Sequence, residues 1–149
     1  MTGQADGPVW PSASPPAAET ALSWDLTDVT ELPLVRAELR RHALAHPRAV
    51  ADAETAADLR DQLILALDEM ASNALRHAGG RVRAAVRLTA DAYLIEVSDQ
   101  APAVPPSPAV DRDPSEGGLG LYLIAEMATA HGWYVRDEHK HVWALLPRP

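Results

Sequence analysis

Cysteine and phenylalanine are absent from the 149 residues, and lysine and asparagine occur once each, as Lys140 and Asn73. Without cysteine there is no disulfide framework and no thiolate metal site. The longest apolar stretches fall well short of the about 18 residues that suggest a membrane span. The first twenty residues lack the basic start and hydrophobic middle of a signal peptide, so the expected location is the cytoplasm. A formal net charge of −8, with no run of Lys or Arg, excludes the electrostatic footprint of a nonspecific nucleic-acid or anionic-membrane binder. The scarcity of Lys, Asn and Phe beside twelve Arg and abundant Ala and Pro resembles a GC-rich coding bias. Against that background the single Asn carries more information than an Asn ordinarily would.

What is present suffices for one domain with one ordinary core. Residues 1–20 are rich in Pro, Gly, Ser and Ala and hold little that packs, which predicts a disordered tail before a domain at 21–147. ALSWDL (21–26) alternates as a strand. ELPLVRAELRRHALAHP (31–47) has helical period, with Leu34, Val35, Leu39 and Leu44 expected inward and Pro47 as its end. From Glu54 to Ala78, Leu59, Leu63, Leu67, Met70 and Ala74 recur on one face of a long helix, and Gly79 and Gly80 supply its stop. RVRAAVRLT (81–89) and AYLIEVSD (92–99) read as an antiparallel hairpin with one wet, basic face bearing Arg81, Arg83 and Arg87. A proline-laden connection leads to a glycine-opened helix in GLGLYLIAEMATAHG. WYVRDE and HVWALLP then form a second hairpin turning around Glu138 to Lys140. Hairpins mixed with helices predict an α+β two-layer sandwich, a mostly antiparallel sheet with helices on one face.

Glu69, Asn73 and His77 stand at four-residue intervals on the long helix, each about 40° round from the last, so they form one polar stripe. A carboxylate one turn from an amide suits general-base chemistry beside Mg²⁺, a cation that takes oxygen ligands at roughly 2.1 Å. The same stripe also suits a plain amphipathic edge, with His77 placed at the helix C-terminus where positive charge is favourable. EGGLGLYLI (116–124) opens a helix with glycines, which lets backbone N–H groups approach an anion closely; a flexible hinge is the alternative. It is neither a dinucleotide fingerprint, which needs a third Gly where Leu123 stands, nor a P-loop, which needs GK[ST]. Asp99, at the exit of an apolar strand, can accept an amine in an otherwise apolar cleft or simply start a turn. His139 and His141 share a strand face but have no evident third metal ligand.

The order E-x-x-x-N on a helix, D-x-x at a strand exit, a lid, and G-G-x-G at a helix start resembles the Bergerat-fold (GHKL) ATPases, the group that includes gyrase and histidine-kinase catalytic domains. Phrases such as ELxxNALRHA, GLGLxLI and HVWALLP are most similar to its stand-alone branch of anti-sigma-factor serine kinases and related regulatory ATP-binding proteins. The resemblance covers about 21–147 and implies a histidine-kinase-like ATPase fold with ATP and Mg²⁺ as cofactors. It implies Glu69 as catalytic base, Asn73 as Mg²⁺ ligand and Asp99 as the adenine acceptor. Gly117, Gly118 and Gly120 would cradle phosphates under a lid at 100–116 that carries Arg112, and His77, Ala101, Leu119, Leu121 and His141 fall at nucleotide-lining positions. It further implies a protein serine/threonine kinase acting on an anti-anti-sigma partner, a sigma factor as ligand, and a homodimer. Two positions depart from the family pattern, Ala101 for the usual Gly and His141 for the usual Thr, and both predict weakened nucleotide binding. The alternative is a catalytically inactive protein-binding module of the same fold. No phosphoacceptor dimerisation helices precede the domain within these residues, so a histidine-kinase fragment is not expected.

Overall fold

Period-two and period-3.6 patterning dictate a sheet with helices on one side, and a computed structural model, which describes residues 10–46, 52–77, 80–101 and 119–149, has that form. The elements are β1 (Glu19–Leu26), a 3₁₀ turn (Val29–Glu31), α1 (Leu32–Ala45), α2 (Ala53–His77), β2 (Val82–Leu88), β3 (Ala92–Asp99), α3 (Leu119–Met127), β4 (Ala130–Arg136) and β5 (His139–Pro147). The five strands pair in the order β1-β2-β3-β5-β4, each neighbour antiparallel. This is the α+β sandwich that the sequence implies. No helix among the described residues is long and apolar enough to cross a membrane.

Helix α2 lies across β2, β3 and β5 because Leu63, Leu67, Met70 and Ala74 fall on one face, and all four are buried. Ile64, Ala66 and Ala71 widen that face, while Leu59 at its start is only half-buried. The sheet answers with Val82, Ala84 and Val86 from β2, Tyr93, Ile95 and Val97 from β3, and Val142, Ala144 and Leu146 from β5. Burying each such Leu, Ile or Val contributes about 1.5–3 kcal/mol, so this one contact layer dominates stability. The 3₁₀ turn that leads into α1 opens with a capping box: Asp28 accepts from the Thr30 N–H (2.9 Å), and Glu31 accepts from the N–H groups of Thr27 (2.8 Å) and Asp28 (3.0 Å).

Several local expectations are corrected. In α1 the buried residues are Leu32, Val35, Leu39 and Ala43, whereas Leu34 and Leu44 are exposed, because the inward face runs i, i+3, i+7, i+11 from Leu32. Helix α3 stops at Met127 rather than running on to Gly132, since Thr129 is drawn to the sheet by its N–H and hydroxyl, both donating to the Leu145 carbonyl (2.9 and 3.1 Å). The second hairpin turns at Asp137 and Glu138, both with positive φ (52° and 62°), so Lys140 belongs to β5. The outer face of β2 and β3 is not uniformly wet: Leu94 and Glu96 are buried there.

The stretch expected to be a disordered tail over 1–20 is tied to the fold from Trp10 onward, although most of its residues after Trp10 are exposed. Trp10 is only 3% exposed and joins the main core, meeting the His131 ring edge-on at 4.7 Å. Pro11 to Ala13 extend the sheet along the free edge of β4: the Trp133 N–H donates to the Pro11 carbonyl (3.0 Å) and the Ala13 N–H to the Trp133 carbonyl (2.9 Å). The indole N–H of Trp143, on the sheet face away from the helices, donates to the Ala13 carbonyl (2.8 Å). By Glu19 the chain has reached β1 at the opposite edge. Between Ala13 and Glu19 the Pro-rich piece thus runs from the β4 edge to the β1 edge as a strap. Gly132 permits the close pass, because a Cβ there would lie 3.0 Å from the Pro11 carbonyl oxygen. Residues 1–9 and Pro47 and Gly79, expected as helix ends, lie outside the described residues.

Trp10→Ala is expected to cost about 3–5 kcal/mol in urea unfolding through the lost indole burial and the cavity left behind. A loss under about 1 kcal/mol would show that the strap is not coupled to the core.

Candidate functional site

The polar stripe of α2 leaves the core face at the end of the sheet where β3 exits and α3 begins. Glu69 lies directly against the first turn of α3: a methyl group placed on Gly120 would come within 2.7 Å of the Glu69 carboxyl carbon and 2.8 Å of its Cβ. Only glycine lets the two helices meet at this point, and it puts the carboxylate beside the positive end of a helix, where negative charge is favoured. One turn on, Asn73 borders a small cavity with Met70, Ala74, Val97, Asp99, Leu121, Lys140 and Val142. Its walls are mostly apolar, and its polar lining comes from one amide, one carboxylate and one ammonium.

Asp99 is the buried acceptor of this cavity, 2% exposed. Its Oδ1 accepts from the Ala101 N–H (2.8 Å), which makes the strand exit an Asx turn. Its Oδ2 faces Lys140 Nζ at 3.5 Å. Asp99 and Lys140 stand directly opposite one another in the β3–β5 ladder, so they share the helix-side face of the sheet. The turn role and the acceptor role are both present, one on each oxygen.

Residue 141 is on the other side. Alternation puts Lys140, Val142, Ala144 and Leu146 toward the helices and His141 away from them. There His141 Nδ1 lies 2.9 Å from Glu96 Oε2 and its ring stacks on Tyr134 at 4.6 Å. The expectation that His141 lines the nucleotide position is therefore corrected: a whole sheet separates it from Asn73 and Asp99. The buried Glu96 is held by His141, by the Tyr134 hydroxyl, which donates to it, and by Arg87 Nη1 at 3.3 Å. Burial works to raise the Glu96 pKa, but the hydrogen bonds from His141 and Tyr134 and the nearby positive charge outweigh it and hold the carboxyl below its usual range. Tyr134 is pushed up to about 12 by burial and by its bond to the Glu96 carboxylate.

The remaining candidates divide. Leu121 lines the cavity, and half-buried Ala101 supplies its backbone to Asp99. His77 is exposed at the last residue of α2 and is not part of the cavity lining. Arg112, Gly117, Gly118 and the lid from 102 to 116 lie outside the described residues, as does the side chain of Leu119. Among the described residues no three His, Asp or Glu gather as a metal-binding group, and His139 Nδ1 is at 2.8 Å from the Asp137 carbonyl instead. Lys140 is the site residue that sequence reading missed. The signal was there: the apolar run Val142, Ala144, Leu146 fixes the inward register of β5, and counting back by two lands on Lys140.

The model of the histidine kinase-like ATPase domain family matches residues 27–145, which contain every described element from the 3₁₀ turn to most of β5. No curated protein matches the chain. The donor set fits an adenine nucleotide with its metal: a buried carboxylate acceptor among apolar walls, and an amide oxygen one turn from a second carboxylate that lies against a glycine in the first turn of α3.

Gly120→Ala is expected to force α3 off α2 and to destabilise the fold by roughly 1–3 kcal/mol in urea unfolding, because one of the clashing atoms is the Glu69 Cβ, which has no freedom to swing away. Wild-type stability in that variant would refute the close contact. On the outer face, Glu96 contributes stability that is present above its unfolded pKa and lost as pH falls through its lower folded value, below about pH 4. Tyr134→Phe removes one bond to that carboxylate, so it should cost roughly 1–2 kcal/mol at neutral pH and move the acid-unfolding midpoint, followed by circular dichroism, to higher pH.

Proposed function

Because the chain belongs to the histidine kinase-like ATPase domain family, we propose that it is an ATP- and Mg²⁺-binding regulatory protein of the anti-sigma-factor serine kinase kind. The observation that carries this reading is the convergence of Glu69, Asn73 and Asp99 between α2, the β3 exit and the glycine-containing start of α3. In this reading Asp99 accepts the exocyclic amine of the base, Met70, Ala74, Val97, Leu121 and Val142 exclude water around it, and the Asn73 amide oxygen is a metal ligand. Mg²⁺ would supply charge neutralisation at the phosphates. Glu69, beside the α3 N-terminus, draws the proton from a serine hydroxyl of the protein substrate, and positioning supplies most of the rate. The partners of this reading are a sigma factor and its anti-anti-sigma antagonist, and the working form is a homodimer.

A second reading, a protein-binding module without turnover, is favoured by the ammonium of Lys140 already standing against Asp99. A calorimetric titration with ATP, with and without Mg²⁺, separates the two. The kinase reading expects metal-dependent binding that Asn73→Ala abolishes, and phosphoryl transfer that Glu69→Ala removes while ATP binding largely persists. A titration indifferent to Mg²⁺ in both wild type and Asn73→Ala removes the metal role, and transfer surviving in Glu69→Ala removes the base.

A further inference from the structure

Lys140 is the chain's only lysine, and it is placed where an amine is needed. Its side chain is 10% exposed and that of Asp99 3%, and both line the cavity. With the pair in place the cavity is about 20 Å³, space for a water molecule. A small-molecule site ordinarily offers roughly 300 Å³ or more. The other Asp99 oxygen is committed to the Ala101 N–H, so Oδ2 is the position at which a base amine would be accepted, and Lys140 Nζ is on it. A buried carboxylate stripped of its cation is strongly disfavoured, so the lysine leaves only when another N–H donor takes its place. Its flexible four-carbon stem lets the ammonium reach water once displaced.

We propose that Lys140 is an intramolecular surrogate for the base amine, holding the cleft closed on Asp99 so that an adenine nucleotide enters only by displacing it. This inference rests on the nucleotide reading above and adds to it a built-in competitor that lowers affinity. The carboxylate that recognises the base is then never left unpaired: it exchanges one nitrogen donor for another. The closed form leaves room for about one water between the apolar walls of Met70, Ala74, Val97, Leu121 and Val142.

Two measurements on the full chain test it. In calorimetry with Mg²⁺-ATP, Lys140→Met, which keeps the apolar stem and removes the ammonium, is expected to bind about tenfold tighter than wild type, a typical size for coupling between two competing equilibria. Equal or weaker binding by the variant overturns the inference and leaves the nucleotide reading standing. Absence of binding in both proteins overturns the nucleotide reading, and the inference falls with it. The second measurement uses the wild-type chain and so does not depend on the variant folding: the rate at which an acetylating reagent modifies Lys140, followed by mass spectrometry of its peptide. Saturating ATP is expected to raise that rate several-fold as the ammonium is released. Protection of Lys140, or an unchanged rate, overturns displacement.

Discussion

The layer in which α2 lies on β2, β3 and β5 is the constraint from which the rest of the structure follows. A helix that buries Leu63, Leu67, Met70 and Ala74 against a sheet has no rotational freedom left. Residues one step round the cylinder are therefore fixed at its margin, and Glu69 and Asn73 are carried to the edge of the core without any interaction of their own being required. Packing supplies the precision here, and the polar groups inherit it. Gly120 then decides how near α3 can come, and thus that a carboxylate and a helix start share one wall of the cleft.

The sheet handles charge by the same logic of alternation. On its helix side Asp99 and Lys140 face each other at the last rung of the β3–β5 ladder, and on its outer side Glu96 is met by Arg87, His141 and Tyr134. Each buried carboxylate is compensated from a neighbouring strand, which is what burial of a charge demands. The two clusters differ in reach. The Glu96 cluster is interlocked by stacking and several donors and serves the fold. The Asp99–Lys140 contact is longer, at 3.5 Å, and borders a cavity, and it joins side chains rather than the backbone ladder of the sheet.

The elements legible from the sequence were those with long uninterrupted period: α2, the β2–β3 hairpin and the α+β layering. Legibility failed where tertiary contacts overrode local pattern. Leu34 and Leu44 are as apolar as their neighbours, and only the direction from which α2 approaches decides that Leu32 and Ala43 go inward instead. Thr129 ends α3 because a carbonyl of β5 is waiting for it. The strap from Trp10 to Ala18 has a composition that forms no structure alone, and it is ordered by borrowing the edge of β4 and a slot for one indole. Of the candidate site, Glu69, Asn73 and Asp99 were readable because their spacing is local to single elements. Lys140 was not read, because its importance lies in a register relation between two strands about forty residues apart.

That register bears on the two departures from the family pattern. If residue 141 stood in the cleft, a bulky imidazole would be the obstacle to a base; with the register as it is, the imidazole is spent on Glu96 and the obstacle is the residue before it. Ala101 changes role for a similar reason: its N–H fixes the Asp99 carboxylate, a function any residue but proline performs, so the methyl group itself is incidental to the contact. What distinguishes this cleft is then neither substitution taken singly but the pairing of an acceptor, oriented by its own turn, with a long flexible cation across the ladder. One Asp99 oxygen accepts from the Ala101 N–H, and the other is faced by the lysine. If Asp99 accepts a base as proposed, affinity is a difference between two donors for that carboxylate, which makes the strength of the resident ion pair as important as the complementarity of the walls.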